Sequence, residues 1–216
     1  MVEEATQPRR EPSPHEHLRK LSDARELRAL AHPVRMALYE VLALHESLTA
    51  TQASKLVGGS PTSVAYHLRT LAKYGYVEET NEGSGRERPW KLSHIGFSYS
   101  DDTSDPETKA AAHALSRQLF KRWLERREQY RAHKEQWPRE VRKAVGDWNE
   151  IVFGTVEEFR ELQEAFARLA EKFHDRIADP SLRPEGWRIF ELQLYTHPVD
   201  TSAFTVEDET EDEEEH

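Results

Sequence analysis

Residues 56–76 read Leu-Val-Gly-Gly-Ser-Pro-Thr-Ser-Val-Ala-Tyr-His-Leu-Arg-Thr-Leu-Ala-Lys-Tyr-Gly-Tyr. The stretch closes one short helix, turns on glycine, opens a second helix and stops it. Gly58-Gly59 ends the helix predicted over residues 50–57, in which Ala53, Leu56 and Val57 face inward. Ser60 can accept a hydrogen bond from an orphan N–H of the next helix, and Pro61 fits a first turn, where no N–H is needed. Val64, Leu68 and Leu71 stand at i, i+4 and i+7, which places them on one inward stripe, and Gly75 is a suitable stop. Thr62, Ser63 and Tyr66 then fall on the outer face, with Arg69 a turn further on. Such punctuation is that of a helix-turn-helix, whose second helix has the form that lies in a DNA major groove.

Outward from this stretch, residues 76–80 and 89–92 read as two short strands around the turn formers of residues 81–86. A helix followed by a hairpin is the winged-helix arrangement. Upstream, Leu18, Leu21, Leu27 and Leu30 suggest a buried helical face beginning near Glu16. Pro33 interrupts it and suits the start of a helix carrying Val34, Leu38, Val41 and Leu42 inward. Residues 47–49 are long enough only for a turn or minimal strand.

The net charge of −10 over 216 residues does not suit a DNA ligand until it is divided along the chain. Residues 15–95 carry +2, residues 101–206 carry −3, and residues 207–215 alone carry −8. The acidity is therefore concentrated in a tail expected to be disordered. There are no cysteines, so disulfides, thiolate metal sites and cysteine nucleophiles are excluded together. No apolar run is long enough to span a membrane. The polar, Pro/Glu/Arg-rich residues 1–14 lack the apolar centre of a signal peptide, and a cytoplasmic location is expected.

Residues 29–42, with Ala29, Leu30, Ala31, Pro33 and Arg35 in order, resemble the opening of the ArsR-type winged-helix repressors. Ser60, Val64, His67, Leu68, Leu71, Gly75 and Val77 resemble the same family's second segment, with Ala65 and Tyr76 as departures. The resemblance covers residues 20–97. It implies sequence-specific binding of double-stranded DNA by a homodimer, with repression relieved by an effector. Many such proteins sense metals through cysteines, a route closed here. The second half also exceeds the single dimer helix of the smallest members.

In that second half, Asp105-Pro106-Glu107 opens a helix running to about Trp137, with Leu115, Leu119, Trp123 and Leu124 on one side. Residues 150–154 suggest a strand. Thr155 with Glu158 three residues on is a capping-box pattern, and Phe159, Leu162, Phe166, Leu169 and Phe173 follow at helical spacing. Residues 189–195 alternate as a strand would. The expected class is α+β: an N-terminal winged helix-turn-helix, a long dimerisation helix and a small β-α-β C-terminal domain. The expected divisions are a disordered lead at 1–15, the winged helix at 16–97, the dimerisation and effector region at 104–206, and the acidic tail at 207–216.

The candidate DNA contacts are Thr62, Ser63, Tyr66, His67 and Arg69 on the second helix, Gln52 and Lys55 on the first, and Arg86 and Arg88 on the wing. Hydroxyls and cations at such positions suit phosphates and base edges. His67 reads more naturally as a packing or phosphate-adjacent residue, and Arg35 as a packing residue. His113 and His133 lie 20 residues apart on the long helix, about 30 Å, and cannot share a metal within one chain. The aromatics Trp123, Trp137, Trp148, Phe153, Phe159, Phe166, Trp187 and Tyr195 either build a core and dimer interface or line a pocket for a small apolar effector. No phosphate loop, nucleophile elbow or metal motif is present, so no catalytic residue, metal or cofactor is expected. The alternative function is a winged-helix module that binds another protein.

Overall fold

Each helix of the N-terminal half begins on a side chain that satisfies an orphan backbone donor. In the computed structural model, which describes residues 18–82, 88–94 and 96–200, Asp23 caps α1 (Ala24–Leu30) by accepting from the Arg25 N–H at 2.6 Å. His32 caps α2 (Pro33–Leu44), and Thr49 and Gln52 form a reciprocal capping box on α3 (Ala50–Val57). Ser60 caps α4 (Pro61–Lys73) through the Ser63 N–H at 3.2 Å. At the far end of α4 the Gly75 N–H donates to Ala72 and the Tyr76 N–H to Leu71, a Schellman closure that needs the left-handed backbone of Gly75 at φ +69°.

These helices bury Leu27, Leu30, Met36, Leu38, Ala53, Val64, Leu68 and Leu71 in one core. The inward stripe of α4 is therefore as expected. On α3 the expectation fails for Leu56, which is 52 % exposed, while Ser54 turns inward. Eight residues make only two turns, so one side faces the core, and Ala53 occupies it. The hairpin forms from β2 (Val77–Glu79) and β3 (Trp90–Leu92), antiparallel with Glu79 opposite Trp90. Leu48 bridges to Trp90 on the other edge.

The upstream helix starts later than the leucine spacing suggests. Arg19–Leu21 is β1, paired in parallel with β4 (Phe97–Tyr99), and Asp23 separates β1 from α1. Arg19 ties this ribbon to the end of α4. Its guanidinium pairs with Glu26 at 2.7 Å, donates to the Tyr74 carbonyl and sits 4.6 Å from the centre of the Tyr76 ring. Tyr76 is buried and donates its hydroxyl to the Glu26 carbonyl at 2.9 Å.

α5 (Pro106–His133) is capped by Asp105, as the sequence indicates. It packs along α1, and its small residues Ala111 and Ala112 permit close approach while Leu115 joins the same core. Further along, Glu40 of α2 accepts from both Arg122 and Arg126 of α5. These groups are only partly buried, so Glu40→Gln is expected to cost about 1 kcal/mol. A urea midpoint unchanged from the parent would contradict that clamp.

After a 3-10 turn (Lys134–Gln136), Pro138 precedes the short α6 (Arg139–Ala144). Thr155 and Glu158 form the expected capping box on α7 (Val156–Ala178). The expected β-α-β pairing is not formed: residues 151–153 and 189–195 are irregular, and among the described residues no strand follows Tyr99. Alternating or apolar side chains favour a strand only where a neighbouring ladder accepts its backbone, and neither segment has one. Phe153 is fully exposed, Trp148 is 85 % exposed, and Trp137 is exposed as well, so these three do not join a core within one chain.

The chain divides into two units, Met1–Leu182 and Arg183–His216. In the second, the Trp187 N–H closes a turn on Pro184, the Arg183 guanidinium lies 5.0 Å from the Trp187 ring centre, and Tyr195 donates to Gln193. The expected disordered lead, the acidic tail and Arg86 lie outside the described residues. No helix among the described residues is long and apolar enough to cross a membrane.

Candidate nucleic-acid interface

The turn from α3 to α4 uses two successive glycines, Gly58 at φ +82° and Gly59 at φ +84°. A side chain at either would find open space but a strained backbone. The turn lets α4 set Val64, Leu68 and Leu71 against the core and leave its other face to solvent. On that face Thr62, Ser63, Tyr66 and Arg69 are all exposed, Tyr66 to 61 %. The sequence-predicted outer face is thus assembled along one side of one helix. Small hydroxyls stand at its start, where the helix dipole favours a phosphate.

On α3, Gln52 and Lys55 are exposed, though the Gln52 side-chain oxygen is held by the Thr49 N–H at 2.8 Å. On the hairpin, Arg88 pairs with Glu79 at 3.6 Å and Lys91 with Glu78 at 3.1 Å. Any other anion would have to displace the Glu79 carboxylate to reach Arg88.

Sequence reasoning missed a plainer signal. Residues 47–77 contain no Asp or Glu at all, but do contain Lys55, Arg69 and Lys73. Averaging over residues 15–95 hides this. Lys55 and Arg69 make no ion pair among the described residues, whereas Arg19, Arg28, Arg88 and Lys91 each do. An acid-free stretch that carries cations without ion pairs is an electrostatic feature suited to a polyanion.

His67 lies on the inner shoulder of α4, partly buried, with its ring 4.8 Å from that of His32. The His32 Nδ1 accepts from the Val34 N–H at 3.2 Å, and the His67 Nδ1 is buried without a hydrogen-bond partner. Arg35 is turned to the end of α1, donating to the Ala29 and Arg28 carbonyls, which makes it a packing residue. Burial, then Arg35, pushes both imidazoles below the ordinary histidine range, and in His32 the charge of His67 adds to this. Since both are lowered, the unfolded chain binds more protons, and stability must fall as the pH drops through 6.5. The expected result is a lower Tm at about pH 5.5 than at about pH 7.5. The drop should shrink in His32→Asn/His67→Gln; an equal drop in that variant contradicts the assignment.

Elsewhere, His113 pairs with Asp101 at 2.8 Å and His133 meets the Gln129 carbonyl. Among the described residues no three His, Asp or Glu side chains gather as metal ligands would. Residues 30–80 match the family model for a helix-turn-helix domain, a match that spans α2, α3, α4 and β2 and stops before β3. No curated protein matches the chain.

Proposed function

We propose that this helix-turn-helix chain is a transcriptional regulator that binds a specific double-stranded DNA site as a homodimer, most simply as a repressor at an imperfect palindrome. The supporting observation is the outer face of α4: Thr62, Ser63, Tyr66 and unpaired Arg69 over a rigidly buried stripe, within an acid-free stretch. Phosphates supply most of the affinity and make it salt-dependent, while base edges supply selectivity. Two copies place their α4 helices in successive major grooves, about 34 Å apart. An effector held by the second half would act by favouring one arrangement of the two winged helices over another. No catalytic step enters this reading.

Selection of genomic fragments by the purified protein, followed by sequencing, tests it. Enrichment of a two-fold-symmetric site is expected. The second reading, a winged helix that binds protein, draws on the modest +2 of residues 15–95. Failure to bind any duplex from low to high salt would favour it.

A further inference from the structure

α7 leaves an apolar row open to solvent. Leu162 is 49 %, Leu169 69 % and Phe173 47 % exposed, while Phe159 and Phe166 are partly covered. The five residues alternate at spacings of three and four, the pattern of a helix-pairing seam. Charged residues keep to the rest of the surface, where Arg160 pairs with Glu157 and Arg168 with Glu164.

We infer that α7 pairs antiparallel with α7 of a second copy, about a two-fold axis beside Ala165. Two independent features favour this occupant. The first is charge. Residues 156–166 carry a net −3 and residues 167–178 a net +1. Antiparallel pairing lays the acidic half of each helix beside the basic half of the other, and it also opposes the helix dipoles favourably. The second is side-chain size. Antiparallel registry sets Phe159 against Leu169 of the partner subunit and Phe166 against Leu162 of the partner subunit. Each layer then holds one large ring and one smaller side chain. Parallel pairing would stack phenylalanine on phenylalanine. Ala165 and Ala170, flanking the seam, leave room for the rings.

The open parts of these side chains amount to roughly 500 Å² per copy, so a pair buries on the order of 1,000 Å², the lower bound for a specific interface. The contact is isologous, as a closed dimer requires. It gives a surface to the homodimer proposed above and rests on that part of the reading.

The full chain tests the pairing directly, because its lack of cysteine lets single substitutions report. Ala165→Cys stands beside the axis, whereas the two copies of Val156→Cys would lie about 24 Å apart along it. A short bifunctional maleimide is expected to cross-link Ala165→Cys into a dimer and to leave Val156→Cys monomeric on denaturing gels. Leu162→Glu/Leu169→Glu is expected to sediment as a monomer with unchanged helical circular dichroism, since both leucines are exposed. Equal cross-linking at the two positions, none at Ala165→Cys, or a dimer that survives the double substitution overturns the pairing. A monomeric parent chain that still selects a DNA site would sink the pairing and keep the regulator. A dimer cross-linked at Ala165→Cys that binds no DNA would do the reverse.

Discussion

Leu68→Ala is expected to lower stability by about 3 kcal/mol, the typical cost of emptying a fully buried leucine site. Leu68 has no exposed surface and lies at the middle of the stripe by which α4 holds to the core. Its neighbours are the capped helices α2 and α3, whose ends are fixed by Pro33, Thr49 and Gly58, so the cavity has little freedom to collapse. The loss is read from urea or thermal unfolding. Because α4 carries the proposed contacts, DNA affinity should fall as well, in proportion to the unfolded fraction. A cost below about 1 kcal/mol would mean that the helix is not anchored there.

Arg69→Ala should have the opposite signature: intact stability and lost binding. Arg69 is exposed and makes no ion pair among the described residues, so its removal empties no cavity and strands no buried partner. On DNA it would lose a guanidinium contact with phosphate or with a guanine edge, worth about 1–3 kcal/mol, or roughly 5- to 150-fold in Kd. The salt dependence separates the two. A phosphate contact lowers the slope of log K against log salt by about one. A base contact leaves the slope closer to that of the parent and relaxes selectivity at one position. Unchanged affinity and unchanged slope together would remove Arg69 from the interface.

The parts of this fold set by neighbouring residues were legible in the sequence. Ser60, Pro61 and Gly75 bound α4 because capping and left-handed turns act within a few residues, and the stripe of Val64, Leu68 and Leu71 follows from the helical period. The capping box of Thr155 and Glu158 was legible for the same reason. The ribbon of β1 and β4 was not. It joins three-residue segments across most of the winged helix, and no local rule marks either. The leucines at 18, 21, 27 and 30 fit a helical period, but Leu21 ends a strand and only Leu27 and Leu30 lie on the helix that Asp23 opens. The strands expected at 150–154 and 189–195 did not form because apolar alternation gives no information about a partner.

Within the candidate interface, exposure of Thr62, Ser63, Tyr66 and Arg69 followed from the same helical period. A packing role for His67 was also legible, but its contact with His32 was not, since it depends on where α2 begins relative to α4. Arg35 likewise reads as a packing residue, but its carbonyl partners at the end of α1 depend on the angle between two helices. The absence of acids from residues 47–77 is local, and the net +2 of residues 15–95 does not reveal it.

Every contact proposed for Thr62, Ser63, Tyr66 and Arg69 depends on α4 lying in a major groove. Methylation interference on the best selected fragment tests it most directly, because guanine N7 lies in the major groove and adenine N3 in the minor. N7 methylation is expected to block binding in two clusters one helical turn apart, and Arg69→Ala to weaken the interference within them. Interference confined to adenine N3, or binding indifferent to methylation in either groove, would contradict it.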